Sequence, residues 1–279
     1  MIRDENLKKS TDYAKGMVDA AYRVLGEIVN LLAPYEENMR IVGGWVPYLL
    51  YQEQDHIGSI DVDVLLNQQK IRKATSYENI KRILLRNGYK EHPEKSFSFV
   101  KTVEVQGIPY DVDVDFLAGK YGGDSGSRSK HVDGIKALPA DGGNFAFEFS
   151  PETVTIEYIH PDGGKDSGHV NVVAVIPYLV MKTAALGRGK PKDAYDIYYC
   201  ITHYEGGVRE LVKELILYKD KKLIQDTCKK LSEKFASPEH VGPVDIARFL
   251  ELIDEEEIER VKQDAYQQVN YIVEILRKE

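Results

Sequence analysis

The alternation of apolar and polar positions changes period often in the first two thirds of the chain and becomes steadily helical after that. Between residues 11 and 33, Met17, Ala21, Val24, Leu25, Ile28, Leu31 and Leu32 recur at three- and four-residue spacing until Pro34, which predicts a helix with one buried face. MRIV (39–42) reads as a short strand, GGW (43–45) as a tight turn and VPYLLYQEQ as a short helix, before IDVDVLL (60–66) returns to strand. SYENIKRILLRNG (76–88) starts on serine and stops on glycine, as a second helix should. FSFVKTVEV and IPYDVDVDFL alternate with period two on either side of QG and predict a hairpin. The Gly- and Ser-rich segment 119–134 reads as a mobile loop, and FAFEF, TVTIEYIH and HVNVVAVI as further strands. From Pro177 the pattern is helical: YLVMKTAAL, DAYDIYYCITHY, then charged amphipathic helices to the end. The expected fold class is therefore α+β, a mixed β-sheet flanked by helices (1–175) followed by a C-terminal helical region (176–279).

A chain of 279 residues with 43% hydrophobic and 29% charged residues can bury a sizeable core. The net charge of −8 argues against broad affinity for a nucleic-acid backbone, while residues 188–192 and 128–131 supply a small basic rim. Two cysteines, Cys200 and Cys228, are too few for a disulfide framework or a thiolate metal site. The first sixteen residues contain no apolar signal segment, and the longest apolar stretch is interrupted by Asn171, Pro177 and Lys182. These features lead to the expectation of a cytoplasmic protein with no membrane partner.

Chemistry concentrates in the aspartates. Asp61 and Asp63 lie one residue apart in a hydrophobic strand and so share a face, where like charges repel. Asp is disfavoured in strands, yet YDVDVDFL adds Asp111, Asp113 and Asp115, again on one face. An oxygen-only, carboxylate-rich group suits Mg²⁺ shared with substrate phosphates, and a third carboxylate from a neighbouring strand would complete a two-metal site. The competing reading is the wet face of two amphipathic strands. Gly43-Gly44 before a helix offers backbone amides to an anion, or is an ordinary turn. Lys182 in an apolar helix needs a partner. A triphosphate would serve, and so would a nearby acid, with Asp193 capping a helix and Lys192 pairing with Asp196.

Taken in order, Gly43-Gly44, Asp61-Val62-Asp63 and an Asp-bearing strand ending VDFL resemble the nucleotidyltransferase superfamily of the DNA polymerase beta type. Lys182, Arg188 and KDAYDIYY resemble its branch containing abortive-infection toxin-like nucleotidyltransferases, and the likeness spans residues 40–204. The resemblance implies transfer of a nucleoside monophosphate from an NTP, such as ATP, to an RNA 3′ end, a protein or a small molecule. It further implies a toxin-like role with an antitoxin partner, and Mg²⁺ at a two-metal site, with Mn²⁺ as an alternative ion. On this basis Asp61, Asp63 and either Asp113 or Asp115 hold metal, and Asp61, Asp63, Asp115 and Lys182 form the catalytic group. Gly43, Gly44, Ser59, Lys182, Arg188, Asp193 and Asp196 attend the nucleotide, with the C-terminal region completing the active site. The chain departs from the superfamily at Gly44, where the usual residue is serine, and three aspartates on one strand leave the third ligand open. The alternatives are a metal-dependent phosphohydrolase or nuclease, and an inactive nucleotide-binding module.

Overall fold

The apolar stripe near the N-terminus forms helix α1 (Lys15–Leu31), which buries Ala20, Ala21, Val24, Leu25 and Ile28 against a sheet. The structure is a computed structural model that describes residues 7–52, 55–71, 79–120 and 130–278. Its strands are β1 (Met39–Val42), β2 (Val62–Leu66), β3 (Lys90–Glu91), β4 (Ser98–Val105), β5 (Ile108–Gly119), β6 (Lys130–Val132), β7 (Ile135–Ala140), β8 (Glu152–Ile159) and β9 (Lys165–Val172). They join in the order β3-β4-β5-β2-β1-β9-β8, with β7 beside the end of β5 and β6 beside β7. The sheet is mixed: β2 runs parallel to β5 and β1 parallel to β9, whereas β1–β2, β4–β5 and β8–β9 are antiparallel. Short helices α2 (Trp45–Leu50), α3 (Gln68–Ile71) and α4 (Ile80–Arg86) connect these strands.

The described residues divide into two units, 13–177 in the first and 7–12 with 178–278 in the second, the later break falling in the first turn of α5 (Val175–Ala185). The second unit contains α6 (Pro191–Thr202), α7 (Gly207–Ile216), α8 (Lys222–Lys234), α9 (Val241–Phe249) and α10 (Glu255–Lys278). Helix α10 packs against the other four through a stripe of Ala265, Val269, Ile272 and Val273. Among the described residues no helix is long and apolar enough to cross a membrane.

Two expectations need correction. FAFEF is a 3-10 helix, Phe145–Glu148, because Gly142 at φ +77° turns the chain after β7 and the Phe145 and Phe149 rings meet at 4.9 Å, a contact at four-residue spacing. The end of the expected loop 119–134 is instead a hairpin of β6 and β7. Its turn, Asp133-Gly134, has positive φ at both residues, the geometry that matches strand twist. Residues 121–129 of that loop, Arg128 of the basic rim, and residues 76–78 of the second expected helix lie outside the described residues.

Among the described residues, the face of the sheet under α1 holds a buried Glu27–Lys101 ion pair, with His160 Nε2 3.6 Å from Glu27 Oε1. Lys101 Nζ lies 2.9 Å from Glu27 Oε1, and the Tyr89 hydroxyl donates to Glu27 Oε2 at 2.5 Å. Both charges are almost wholly shielded, so removing one strands the other. Lys101→Met should cost about 3–5 kcal/mol in urea unfolding, and adding Glu27→Gln should return part of that loss; a change below about 1 kcal/mol would show that water reaches the pair.

Candidate functional site

Parallel pairing of β2 with β5 sets Asp63 in register with Asp115, while Val62–Val114 and Val64–Phe116 pair on the other face. Lys101, in register with Val112, reaches Glu27 of α1, so the valine face is the one α1 covers. The opposite face carries Asp63, Asp113 and Asp115, each partly exposed, and turns apolar at the fully buried Leu65. The carboxylates therefore sit at the margin of the core, where their charge is only half solvated.

The glycine turn is built around one of them. Gly43 has φ +72°, and a Cβ there would fall 1.9 Å from Asp63 Oδ2, so the carboxylate rests against bare main chain that no other residue could supply. Gly44 is in ordinary right-handed helical geometry, and α2 behind it has six residues, too few aligned peptides for much of a helix dipole. Asp61 is held at both ends. Trp45 Nε1 donates to its carbonyl at 2.7 Å, and Ser59 Oγ donates to its Oδ1 at 2.6 Å. Ser59, expected beside the nucleotide, thus orients Asp61.

Three residues near the aspartates carried no signal in the sequence: His92, Lys95 and Ser98. His92 and Lys95 belong to the turn joining β3 to β4 and Ser98 is the first residue of β4; the Ser98 amide donates to the Lys95 carbonyl and the His92 amide to the Ser98 carbonyl. His92 Nδ1 accepts the amides of Glu94 and Lys95, each at 3.0 Å, which leaves its Nε2 3.9 Å from Asp113 Oδ2. Lys95 Nζ donates to Asp113 Oδ2 at 2.7 Å. Burial works against this ammonium, yet its bond to Asp113 and the charges of Asp115, Asp113 and Asp61 hold its pKa above the usual lysine value. Asp115 goes the other way. Burial pushes its carboxyl up from 3.8 to about 6, with Asp61 and Asp113 adding to the rise and Ser98 and Lys95 opposing it. Its Oδ1 is buried without a hydrogen-bond partner. Asp111 pairs apart from this group, accepting from Thr102 Oγ1 at 2.6 Å. Among the described residues no three acidic, imidazole or thiol groups are gathered closely enough to hold a metal ion as they stand.

The residues singled out in the second unit form their own network. Lys182 Nζ lies 2.8 Å from Asp193 Oδ1 and 2.9 Å from Asp196 Oδ2, and Lys192 Nζ lies 2.8 Å from Asp196 Oδ1. Burial would lower the Lys182 pKa, but the two carboxylates more than reverse it. This is the pairing left open by spacing, with one difference: Lys190 stands at the N-cap of α6, and Asp193 lies inside the first turn with its Oδ2 buried and unpartnered. Arg188 Nε donates to the Ala185 carbonyl at the end of α5. Cys200, one turn from Asp196, is buried, and desolvation holds its thiol well above the usual range, which removes it as a nucleophile.

No known protein family matches the chain, and no curated protein does. Two solved structures are similar along most of its length. One is JHP933 from Helicobacter pylori, at 13% identity and TM-score 0.41, covering 95% of each chain. The other is described as a "putative nucleotidyltransferase" from H. pylori, at 13% identity and TM-score 0.41, covering 95% of this chain and 98% of that one.

Because the Asp115 pKa is higher in the folded protein than in the unfolded chain, its ionisation opposes folding. Stability is lost as pH rises from about 4 to about 6, by roughly 3 kcal/mol at pH 7. Asp115→Asn in metal-free buffer should therefore melt higher than the unsubstituted protein at pH 7 and level with it near pH 4; a gap independent of pH would contradict the shift. Lys182→Met strips the buried Asp193 of its ion pair while Asp196 keeps Lys192, and should lower stability by about 3 kcal/mol in denaturant melts. An unchanged midpoint would mean the cluster is open to water.

Proposed function

We propose that the aspartate face of the first unit is a nucleotidyltransferase active site that transfers a nucleoside monophosphate from an NTP to an acceptor and releases pyrophosphate. The observation that carries this reading is the register of Asp63 beside Asp115, which brings together the two aspartate-rich strands and the glycine turn, the three features in which the sequence resembles such enzymes. The finer assignment to the toxin-like branch, with an antitoxin partner, rests on the sequence pattern from Lys182 to Asp196 alone.

Mg²⁺ fits the donors present. They are carboxylates on one face, and the buried Asp115 Oδ1 has no partner. Asp61, Asp63 and Asp115 are the residues that would hold it, with Asp113 the alternative third ligand, and their side chains must turn toward one another to do so. When bound, the ion supplies positive charge against the triphosphate oxygens. The chain's own contribution is to fix Asp61 through Ser59 and Trp45 and Asp63 against Gly43. An ionised carboxylate of this face can then take the proton from the acceptor hydroxyl.

The test is to incubate the protein with each α-labelled NTP, Mg²⁺ and total cellular RNA, and to follow label on RNA, on protein and in small products together with pyrophosphate. Transfer should fall at least ~10²-fold in Asp63→Ala, the scale of losing a group that organises transition-state charge. Full transfer by that variant would remove Asp63 from the chemistry. Nucleotide breakdown without transfer would favour the phosphohydrolase reading.

A further inference from the structure

The aspartate face, taken as the metal site just proposed, already contains a cation: the ammonium of Lys95. It is 2.7 Å from Asp113 Oδ2, and the charges of Asp115 and Asp61 also help hold it protonated. Its place in the fold is unusual for a structural ion pair. The side chain comes from an exposed turn and keeps 37% of its surface open, whereas the structural lysines Lys101 and Lys182 keep 11% and 13%. The turn itself is firmly set, because His92 gathers the amides of Glu94 and Lys95 on one ring nitrogen. A fixed backbone thus carries a flexible four-carbon stem ending in a point charge, which can leave without disturbing the sheet. The site it would vacate is not satisfied by it. Asp115 Oδ1 and the hydroxyl of Ser98, which is 2% exposed and in register with Asp115, find no hydrogen-bond partner beyond the weak attraction they exert on each other.

We propose that Lys95 is a tethered counter-cation that partly offsets the charge of the aspartate face in the metal-free protein and is displaced when a divalent ion binds. It therefore weakens metal binding while protecting the empty site from its own repulsion. Such a residue sets the concentration of metal at which the site loads.

The experiment uses Mn²⁺ as probe, titrated into metal-free full-length protein with free Mn²⁺ read by electron paramagnetic resonance. Lys95→Met is compared with the unsubstituted chain and with Lys90→Met, an exposed lysine on β3 whose loss changes net charge equally. Lys95→Met should bind Mn²⁺ about tenfold more tightly than the unsubstituted chain, while Lys90→Met stays within about twofold, because only the nearer charge escapes screening. Without metal Lys95→Met should also melt lower than the unsubstituted chain, and saturating Mn²⁺ should restore it. Measurable but equal binding by all three proteins overturns the role of Lys95 and leaves the metal site standing. No binding by any of them at millimolar Mn²⁺ overturns the metal reading of the site and this role with it.

Discussion

The parallel contact between β2 and β5 is the constraint on which the first unit turns. Both strands are apolar on one face and acidic on the other, and α1 covers the apolar face. A slip of one residue in either strand would drive carboxylates under α1 and valines to the surface, so the register has no affordable alternative. Once it is set, Asp63 and Asp115 must lie side by side, and what surrounds them can be understood as a response. Gly43 gives up its side chain to make room for Asp63, Asp115 holds its proton to an unusually high pH, and Lys95 reaches in from the neighbouring turn.

Buried charge is handled in two ways in this chain. Glu27 with Lys101, and Lys182 with Asp193 and Asp196, are pairs shielded from water whose partners come from fixed secondary structure. They hold helices to strands or to each other, and their removal is a matter of stability. The aspartate face is different in kind. Its Asp113 pairs with the half-exposed, flexible Lys95, and Asp115 Oδ1 and the Ser98 hydroxyl beside it are buried with no other hydrogen-bond partner. A buried carboxylate held above its usual pKa carries a cost in stability at pH 7.

Comparison of the two aspartate motifs shows how far local pattern reaches. Period-two alternation predicted Asp61 and Asp63 on one strand face, and Asp111, Asp113 and Asp115 on another, but the strand starts at Val62, after Asp61, and alternation says nothing about which strands are neighbours. Asp111 and Asp115 look equivalent in sequence, yet one is exposed and bonded to Thr102 while the other sits in register with Asp63. Lys95 lay in a polar turn, HPEKS, of the kind that usually faces only water. Its place beside Asp113 depends on β4 pairing with β5, a contact made across residues that sequence spacing does not mark.

The sequence by itself determined the elements with a strong period: α1, the β4–β5 hairpin, the strand bearing Asp63, and the helical character of the last third. Each follows from forces between residues close along the chain, namely side-chain spacing, glycine and proline breaks, and the shared face of positions i and i+2. Tertiary structure alone decided that β2 and β5 are parallel neighbours, that Gly43 is needed for Asp63, that Lys182 is enclosed by two acids, and that FAFEF curls into a 3-10 turn. Those outcomes depend on which apolar faces bury each other, and burial is a property of the assembled core that no local window contains.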